Sequence, residues 1–280
     1  MLYSKAKKEA LALHEEAISK YNSAITDVQT RCEILYTARQ QSIVLIEEIE
    51  RLINSIANTP KEFERSLILI EASRMKFRET EKYAAEAYQN AIKSGVGAVA
   101  GVGTGATVAS LAPTAAMWIA TTFGTASTGT AISTLSGAAA SKAALAWLGG
   151  GALVAGGKGI VGGNALLALA GPVGLAIAAV AITGSGFMIG KKNKRISNKA
   201  VEEVEKIIVA EVELNKTQEI ISNIHNKTSL LSNNVTGQLR QAMLLEGNSY
   251  SSMPESDQLL LGTLVNNTLS LAEMLNKTVE

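Results

Sequence analysis

The first third of the chain repeats apolar residues at spacings of three and four, which is the period of one face of an α-helix. The repeat runs from Leu13 to Ile56, and Lys, Glu, Arg and Gln fill most positions between. It predicts a first helix of about 55 residues, roughly 80 Å long at about 1.5 Å per residue, as one strand of a coiled coil or extended bundle. The apolar stripe consists of Leu13, Ala17, Tyr21, Ala24, Val28, Cys32, Leu35, Ala38, Ser42, Leu45, Ile49, Leu52 and Ile56.

A break and a new helix start follow this stripe. Asn58, Thr59 and Pro60 interrupt the repeat. Thr59 is a suitable N-cap, Pro60 suits the first helical position, and Glu62 completes a capping box three residues after the cap. The pattern predicts a second helix from about Lys61 to Lys93 that turns back on the first.

Two further helices are predicted in the last third of the chain. One covers about residues 197–245, a loop of turn-forming residues covers 246–254, and a last helix covers about 255–277. No segment alternates apolar and polar residues as a β-strand does. Their apolar stripes are Leu214, Thr217, Ile221, Ile224, Thr228, Leu231, Val235 and Leu239, and then Leu259, Leu260, Leu264, Leu269, Leu271 and Leu275.

The middle of the chain has a different composition. Residues 87–201 contain no Asp or Glu, although the chain has 25, and all but three of its 24 glycines lie within residues 95–190. Residues 94–190 carry only two charges, Lys142 and Lys158. The chain is 47% hydrophobic but only 4% aromatic, so small and aliphatic side chains supply its apolar surface. Such residues favour the close helix packing of membrane bundles.

This contrast divides the chain into three segments and predicts an all-α fold. Long amphipathic helices form a coiled-coil bundle on both sides of a glycine-rich apolar membrane-insertion segment. The segments are an N-terminal helical arm, 1–93, the insertion region, 94–190, and a C-terminal helical arm, 191–280. Within the insertion region the candidate membrane spans are residues 94–123, 143–157 and 164–190.

Both ends of the insertion region are basic, at Lys93 and at residues 191–195. Basic flanks favour the cytoplasmic face, so we expect an even number of crossings, two or four, with both arms on one side. Two alternatives remain open: the region is the buried core of a water-soluble α-protein, or it is hidden within the arms until a trigger releases it.

Three groups of candidate functional residues follow from a membrane role. Glycines at four-residue spacing leave a groove where another helix can approach, and these packing residues are Gly97, Gly101, Gly105, Gly159, Gly163, Gly186 and Gly190. The residues expected to contact anionic lipid headgroups are Lys191, Lys192, Lys194 and Arg195. Candidate pore-lining hydroxyls are Thr125, Thr128, Ser133 and Ser136, for which an extracytoplasmic or partly disordered loop is an equal alternative.

Residues suited to catalysis, cofactors or metals form no convincing motif. Residues 157–162 fit G-x-G-x-x-G, but no predicted strand precedes them and no acid follows for the ribose. His14 and His225 are expected to be solvated surface residues, and Cys32 falls on the apolar stripe. The glutamate pairs at 47–48 and 202–203 are expected to be solvated as well. We therefore expect no enzyme activity, cofactor, metal or nucleic-acid partner.

The arrangement of amphipathic helices around a glycine-rich apolar insert resembles α-helical pore-forming toxins and the apolipoprotein L and colicin-type membrane inserters. Residues 124–140, GTASTGTAISTLSGAAA, followed by residues 144–151, ALAWLGGG, also look like glycine-zipper segments of bacterial membrane-acting proteins. The resemblance implies a bacterial toxin or defence effector that permeabilises a membrane.

The sequence thus favours a non-enzymatic effector that self-associates and opens a bilayer. Its expected partners are the lipid bilayer, further copies of itself, and a protein that docks on the arms. A single cysteine and a first segment without an apolar signal core predict synthesis in a reducing cytoplasm, followed by residence in the inner membrane, with a soluble form before triggering. The alternative is a membrane-anchored helical scaffold that does not open the bilayer.

Overall fold

The computed structural model describes residues 2–93, 113–124, 126, 130–136, 139–140, 142–144 and 189–278. Within these ranges the protein is mostly α-helical and has no β-strand. The helices are α1 (Leu2–Ser55), α2 (Lys61–Lys93), α3 (Pro113–Phe123), α4 (Ile189–Ala242) and α5 (Glu255–Met274). Short 3-10 turns lie at Ile132–Thr134, Met243–Leu245 and Tyr250–Ser252.

The predicted helix boundaries of the arms are largely confirmed. Helix α2 starts at Lys61, as predicted, and α1 ends at Ser55, before the predicted break. Asn58 adopts the left-handed conformation, with φ of 55°, which asparagine tolerates better than most residues. Helix α4 begins at Ile189, earlier than predicted, so that the basic residues after the insertion region are helical.

The chain forms two compact units, and each arm contributes to both. One unit, called the insert unit here, comprises Met1–Thr30 and Ala84–Gln218. The other, called the bundle unit, comprises Arg31–Tyr83 and Glu219–Glu280. The three-segment division drawn from the sequence stays a prediction.

Antiparallel helices make up the bundle unit. Contacts between α1 and α2 pair Tyr36 with Glu81 and Glu47 with Arg74, so the residue numbers rise along one helix as they fall along the other. Asn267 of α5 donates a hydrogen bond of 3.1 Å to the Gln238 side chain of α4. One apolar core lies at the loop end of this unit and joins all four helices. Its buried members are Ile49, Leu52, Ile53, Ile56, Phe63, Val235, Leu239, Ala242, Met253, Leu261, Leu264 and Val265.

Two loops of the bundle unit are tied together by main-chain hydrogen bonds. The N–H of Ala57 donates to the carbonyl of Asn248 at 3.0 Å, and the N–H of Tyr250 donates to the carbonyl of Ala57 at 2.8 Å. Phe63 and Tyr250 meet edge to face, with ring centroids 5.5 Å apart. The connection from α1 to α2 is therefore fixed to the connection from α4 to α5.

In the insert unit, small and apolar side chains of α1 and α4 are buried, together with described residues of the insertion region. Met117, Trp118, Ile119, Ala120 and Phe123 of α3 are all buried, and the rings of Trp118 and Phe123 meet edge to face at 5.8 Å. After α3, the N–H of Ile132 donates to the carbonyl of Gly124 at 2.9 Å, which folds this stretch back on itself. Buried residues of the long helices here are Ala10, Ala17, Tyr21, Ala24, Val28, Ala200, Ile207, Ala210 and Leu214.

Two stripe positions were predicted wrongly. Leu13 is 55% exposed and Leu259 is 70% exposed. Each lies at or near the end of a predicted stripe, where a shift of one residue moves a side chain by about 100° around the helix. The buried face of α5 runs instead through Leu261, Leu264, Val265, Thr268, Leu271 and Ala272.

Truncating a core leucine of α5 should destabilise the protein far more than truncating its exposed neighbour. Leu264 is completely buried, so Leu264→Ala should lower the free energy of unfolding by about 2–5 kcal/mol, because the change removes apolar burial and leaves a cavity. Leu259→Ala on the same helix should change it by less than about 0.5 kcal/mol. Urea unfolding followed by circular dichroism measures both values. Equal effects of the two changes would contradict the assigned buried face.

Candidate functional site

Most of the residues predicted to act in the membrane lie outside the described ranges. These are Gly97, Gly101, Gly105, Gly159, Gly163, Gly186, Thr125 and Thr128. Gly190 and the basic residues Lys191, Lys192, Lys194 and Arg195 belong to the first two turns of α4. Ser133 lies in the 3-10 turn after α3 and Ser136 follows it, and both are exposed.

Among the described residues, no helix combines the length and the apolar character needed to cross a bilayer. Helix α3, the described part of the first candidate span, has 11 residues, whereas a span needs about 20.

The densest charge cluster of the bundle unit joins α1 to α2. Arg74 places Nη1 at 3.0 Å from Glu47 Oε1 and Nη2 at 3.1 Å from Glu50 Oε2. Arg78 also binds the Glu47 carboxylate. Burial raises the pKa of Glu50 more than the nearby Arg74 lowers it. Arg74 thus compensates a partly desolvated carboxylate and fixes the spacing of the two helices. Glu47, expected to be a solvated charge, is 34% exposed and is in addition paired with two arginines.

A groove of about 520 Å³ lies beside this cluster, where α1 ends and α2 begins. Ile53, Leu67 and Ile68 give it apolar surface, and Glu64 and Glu71 add acidic groups. The remaining lining residues are Glu50, Asn54, Ile56, Thr59, Pro60, Lys61 and Arg74. A groove with this lining suits an apolar or basic side chain of a partner better than an anionic small molecule.

At the other end of the bundle unit, a charged residue is enclosed within the core. Arg39 is 0% exposed, and its Nη2 donates a hydrogen bond of 2.5 Å to the carbonyl of Lys277, just after α5. Burial lowers the pKa of the guanidinium. In the same unit, Asn276 donates a hydrogen bond of 2.7 Å to the carbonyl of Ser73 in α2. The end of α5 is therefore held by polar contacts to both α1 and α2.

A second polar group lies nearby on the α1–α2 contact. The Tyr36 hydroxyl donates to Glu81 at 2.6 Å, and the Gln40 amide donates to the Tyr36 oxygen at 3.0 Å and also to Glu81. Burial, together with the hydrogen bond to Glu81, raises the pKa of Tyr36 to about 12. These contacts hold helices together and present no nucleophile to solvent.

The two histidines differ from the expectation of free surface residues. The His14 side chain is only 12% exposed, and its Nε2 lies 3.2 Å from Glu203 Oε2 in the insert unit. His225 is half-buried, and its Nε2 lies 3.2 Å from the Ser229 hydroxyl one turn later. The prediction of a solvated histidine is therefore wrong for His14, whereas His225 and Glu203 remain partly exposed. Each imidazole has a polar partner that restrains its ring.

Cys32 is completely buried on α1, as its place on the apolar stripe predicts. Burial raises the pKa of the thiol, and the nearby Arg39 lowers it by less. Since the thiolate is the reactive form, Cys32 is unsuited to nucleophilic chemistry in the folded protein. Within the ranges of the chain that the structure covers, no three His, Cys, Asp or Glu residues come together as a metal site.

Comparison of the chain with protein-family models, with curated proteins and with solved structures finds no match. Functional conclusions therefore rest on the residues themselves.

Sequence reasoning missed the Arg74 cluster and the buried Arg39. For Arg39 a signal existed, because it lies four residues after Leu35 and four before Ile43, both of which are buried. The buried face of α1 is therefore wide enough to include Arg39 and Ile43 as well as the predicted stripe. For Arg74 the partners lie 24 and 27 residues away in sequence, and helical spacing carries no information at that range.

Removing the Arg74 charge should destabilise the bundle unit. Arg74→Met keeps the aliphatic volume but leaves Glu47 and Glu50 without this partner, so we expect a loss of about 1–2 kcal/mol, below the range for fully buried pairs because the carboxylates are partly solvated. Lys206→Met removes only the exposed ion pair with Glu202 and should have a much smaller effect on the free energy of unfolding. Urea unfolding measures both values. A loss no larger than that of Lys206→Met would refute a structural role for the cluster.

The Cys32 thiol should be protected from modification until the protein unfolds. At about pH 8, a chromogenic disulfide reagent should label the native chain slowly and the urea-unfolded chain completely, because only a small fraction of a buried thiol ionises. Since burial raises the thiol pKa in the folded state, its contribution to stability is complete below the unfolded pKa of about 8.5 and is lost as pH rises further. Cys32→Ala should remove this part of the alkaline loss. Rapid labelling of the native chain would contradict the assigned burial.

Proposed function

We propose that the protein is a non-enzymatic membrane-inserting effector that self-associates and permeabilises a bilayer. The observation that carries this proposal is the composition of residues 94–190, with two charges, both lysine, and no acid. Buried helices of water-soluble proteins usually keep a charged face toward solvent. A stretch of this length without one is suited to a hydrocarbon environment.

The helical arms have the opposite character, and this supports their assignment to the aqueous phase. Ion pairs within and between helices cover α1, α2 and α4, including Glu16 with Lys20 and Glu202 with Lys206. In the proposal the arms form a coiled-coil bundle on both sides of the insertion segment, and they hold together the copies that assemble in the membrane.

The basic flanks set the proposed topology. Lys93 and the group Lys191, Lys192, Lys194 and Arg195 stay on the cytoplasmic face of the inner membrane, where they contact anionic headgroups at about 1 kcal/mol for each basic residue. The insertion region then crosses the bilayer an even number of times. Its glycine lines pack helix against helix, and the hydroxyls of residues 125–136 face the aqueous path.

The large apolar side chains of α3 are shielded, which supports a stored form that precedes insertion. Met117, Trp118, Ile119 and Phe123 are each at most 6% exposed in the insert unit. Exposing a large apolar side chain to water costs about 1.5–3 kcal/mol, so release without a receiving bilayer is strongly unfavourable. A membrane that accepts these side chains removes this cost.

Dye release from lipid vesicles tests the proposal. We expect the purified full-length chain to co-sediment with phosphatidylglycerol-containing vesicles and to release an entrapped dye. Gly101→Leu should lower release about tenfold, because bulk on the glycine line prevents the close approach of a second helix. Gly103→Leu, the same change two residues away and off that line, is the matched control and should leave release nearly unchanged.

Each outcome of this experiment decides a separate point. If the chain neither co-sediments with vesicles nor releases the dye while its helical circular dichroism spectrum is intact, the membrane proposal is rejected. Sedimentation without release favours the membrane-anchored scaffold, in which the arms dock a protein partner and the bilayer stays closed. Equal loss for Gly101→Leu and Gly103→Leu rejects the glycine line as the packing surface.

A further inference from the structure

Helix α2 has a second apolar face that the bundle unit does not use. Its inward face is buried through Phe63, Ile70 and Phe77, each seven residues from the next. On the opposite side Ile68 is 60% exposed, Leu69 is 55% exposed and Met75 is 49% exposed. Large apolar side chains on the outside of a well-packed helix are typical of a contact surface.

The outward residues of α2 follow the spacing of a coiled-coil seam. Positions 61, 65, 68, 72, 75, 79 and 82 alternate steps of four and three, which is the heptad spacing of residues that face a partner helix. They are Lys61, Arg65, Ile68, Ala72, Met75, Glu79 and Lys82, and all are exposed. The central three are apolar, and Ala72 is small enough to allow close approach of a second helix.

We infer that this surface, called the outer α2 seam here, pairs with the same seam of a second copy of the chain in antiparallel orientation. The charges select both the occupant and the direction. A parallel pair would place Lys61 against Lys61, Arg65 against Arg65, and Glu79 against Glu79. Like charges at facing positions oppose pairing, so the parallel arrangement is disfavoured.

Antiparallel pairing turns the same residues into complementary contacts. With Ile68 opposite Ala72 of the second copy, Lys61 lies opposite Glu79 of that copy, and the Arg65 stem covers Met75. In a two-fold arrangement each of these contacts occurs twice.

The flanking positions agree with this register. On one side of the seam Glu62 faces Lys76 of the second copy, and the two Leu69 side chains meet near the two-fold axis. On the other side Glu64 faces Arg78. One contact is unfavourable, because the Glu71 side chains of the two copies face each other at the two-fold axis.

A seam of about three heptads with few apolar layers is a small interface. Interfaces at the low end of the size range are transient, so we expect reversible dimers with a dissociation constant in about the micromolar range.

This inference deepens the proposed function, since it rests on the self-association required there. Its readout, protein mass in lipid-free solution, is independent of vesicle leakage.

Sedimentation equilibrium of the full-length chain, at roughly 1–100 µM to bracket this dissociation constant, tests the seam. We expect a monomer–dimer equilibrium that Ile68→Glu weakens by at least about tenfold, because it places a charge in the apolar centre. Val44→Glu is the matched control: Val44 is 63% exposed on α1 of the same unit and lies off the seam. Circular dichroism confirms that both variants stay folded.

Charge exchange tests the orientation. Glu79→Lys should weaken the dimer, because it sets two cations against each other, and the double variant Lys61→Glu with Glu79→Lys should restore it. Glu71→Gln should tighten it about twofold by relieving repulsion at the axis.

The outcomes separate the seam from the proposed function. A strict monomer throughout, or a dimer insensitive to Ile68→Glu, overturns the seam. Failure of the double variant to restore the dimer overturns its antiparallel register. Leakage without lipid-free dimers refutes the seam and keeps the permeabilising function. Dimers without leakage keep the seam and reject the permeabilising function.

Discussion

The bundle unit depends on the burial of one apolar stripe from each of four helices that are far apart in the chain. Most helical stability in proteins comes from packing of an amphipathic face, so each of these helices depends on the others. Ile49 and Ile53 of α1 share one core with Val235 of α4 and Leu264 of α5. Polar contacts then fix the helices in place, with Arg74 joining α1 to α2 and Arg39 holding the end of α5.

Apolar contacts and polar contacts have different roles in this unit, and the difference has a physical basis. Apolar burial supplies free energy without direction, whereas charged hydrogen bonds need defined geometry. A helix can slide or rotate along an apolar stripe of similar side chains at little cost. The fork of Arg74 fits Glu47 and Glu50 in one register of α1 against α2. The same distinction applies to the outer α2 seam, where Ile68, Ala72 and Met75 would favour contact and the flanking charges would select its direction.

The sequence was sufficient to predict the helices of the arms but not the polar contacts between them. Proline at position 60 and the unbroken period on either side located the end of α1 and the start of α2 within a few residues. Position on a stripe also predicted the burial of Cys32. It could not predict that His14 meets Glu203 or that Arg39 meets Lys277, because these pairs depend on tertiary packing. The candidate glycines at 97–105 and 159–186 lie outside the described residues, so the packing assigned to them stays a prediction.

The bundle unit draws residues 31–83 from one arm and 219–280 from the other, and this fixes the order of events during synthesis. Because chains emerge from the N-terminus, α1 and α2 leave the ribosome well before the helices that complete their core. Residues 94–190 are made in that interval, while the stripe through Ile49 and Ile53 still lacks the part of its core that α4 and α5 supply. The nascent chain therefore exposes this stripe and the apolar residues 94–190 at the same time, before α4 and α5 are available to complete the bundle core.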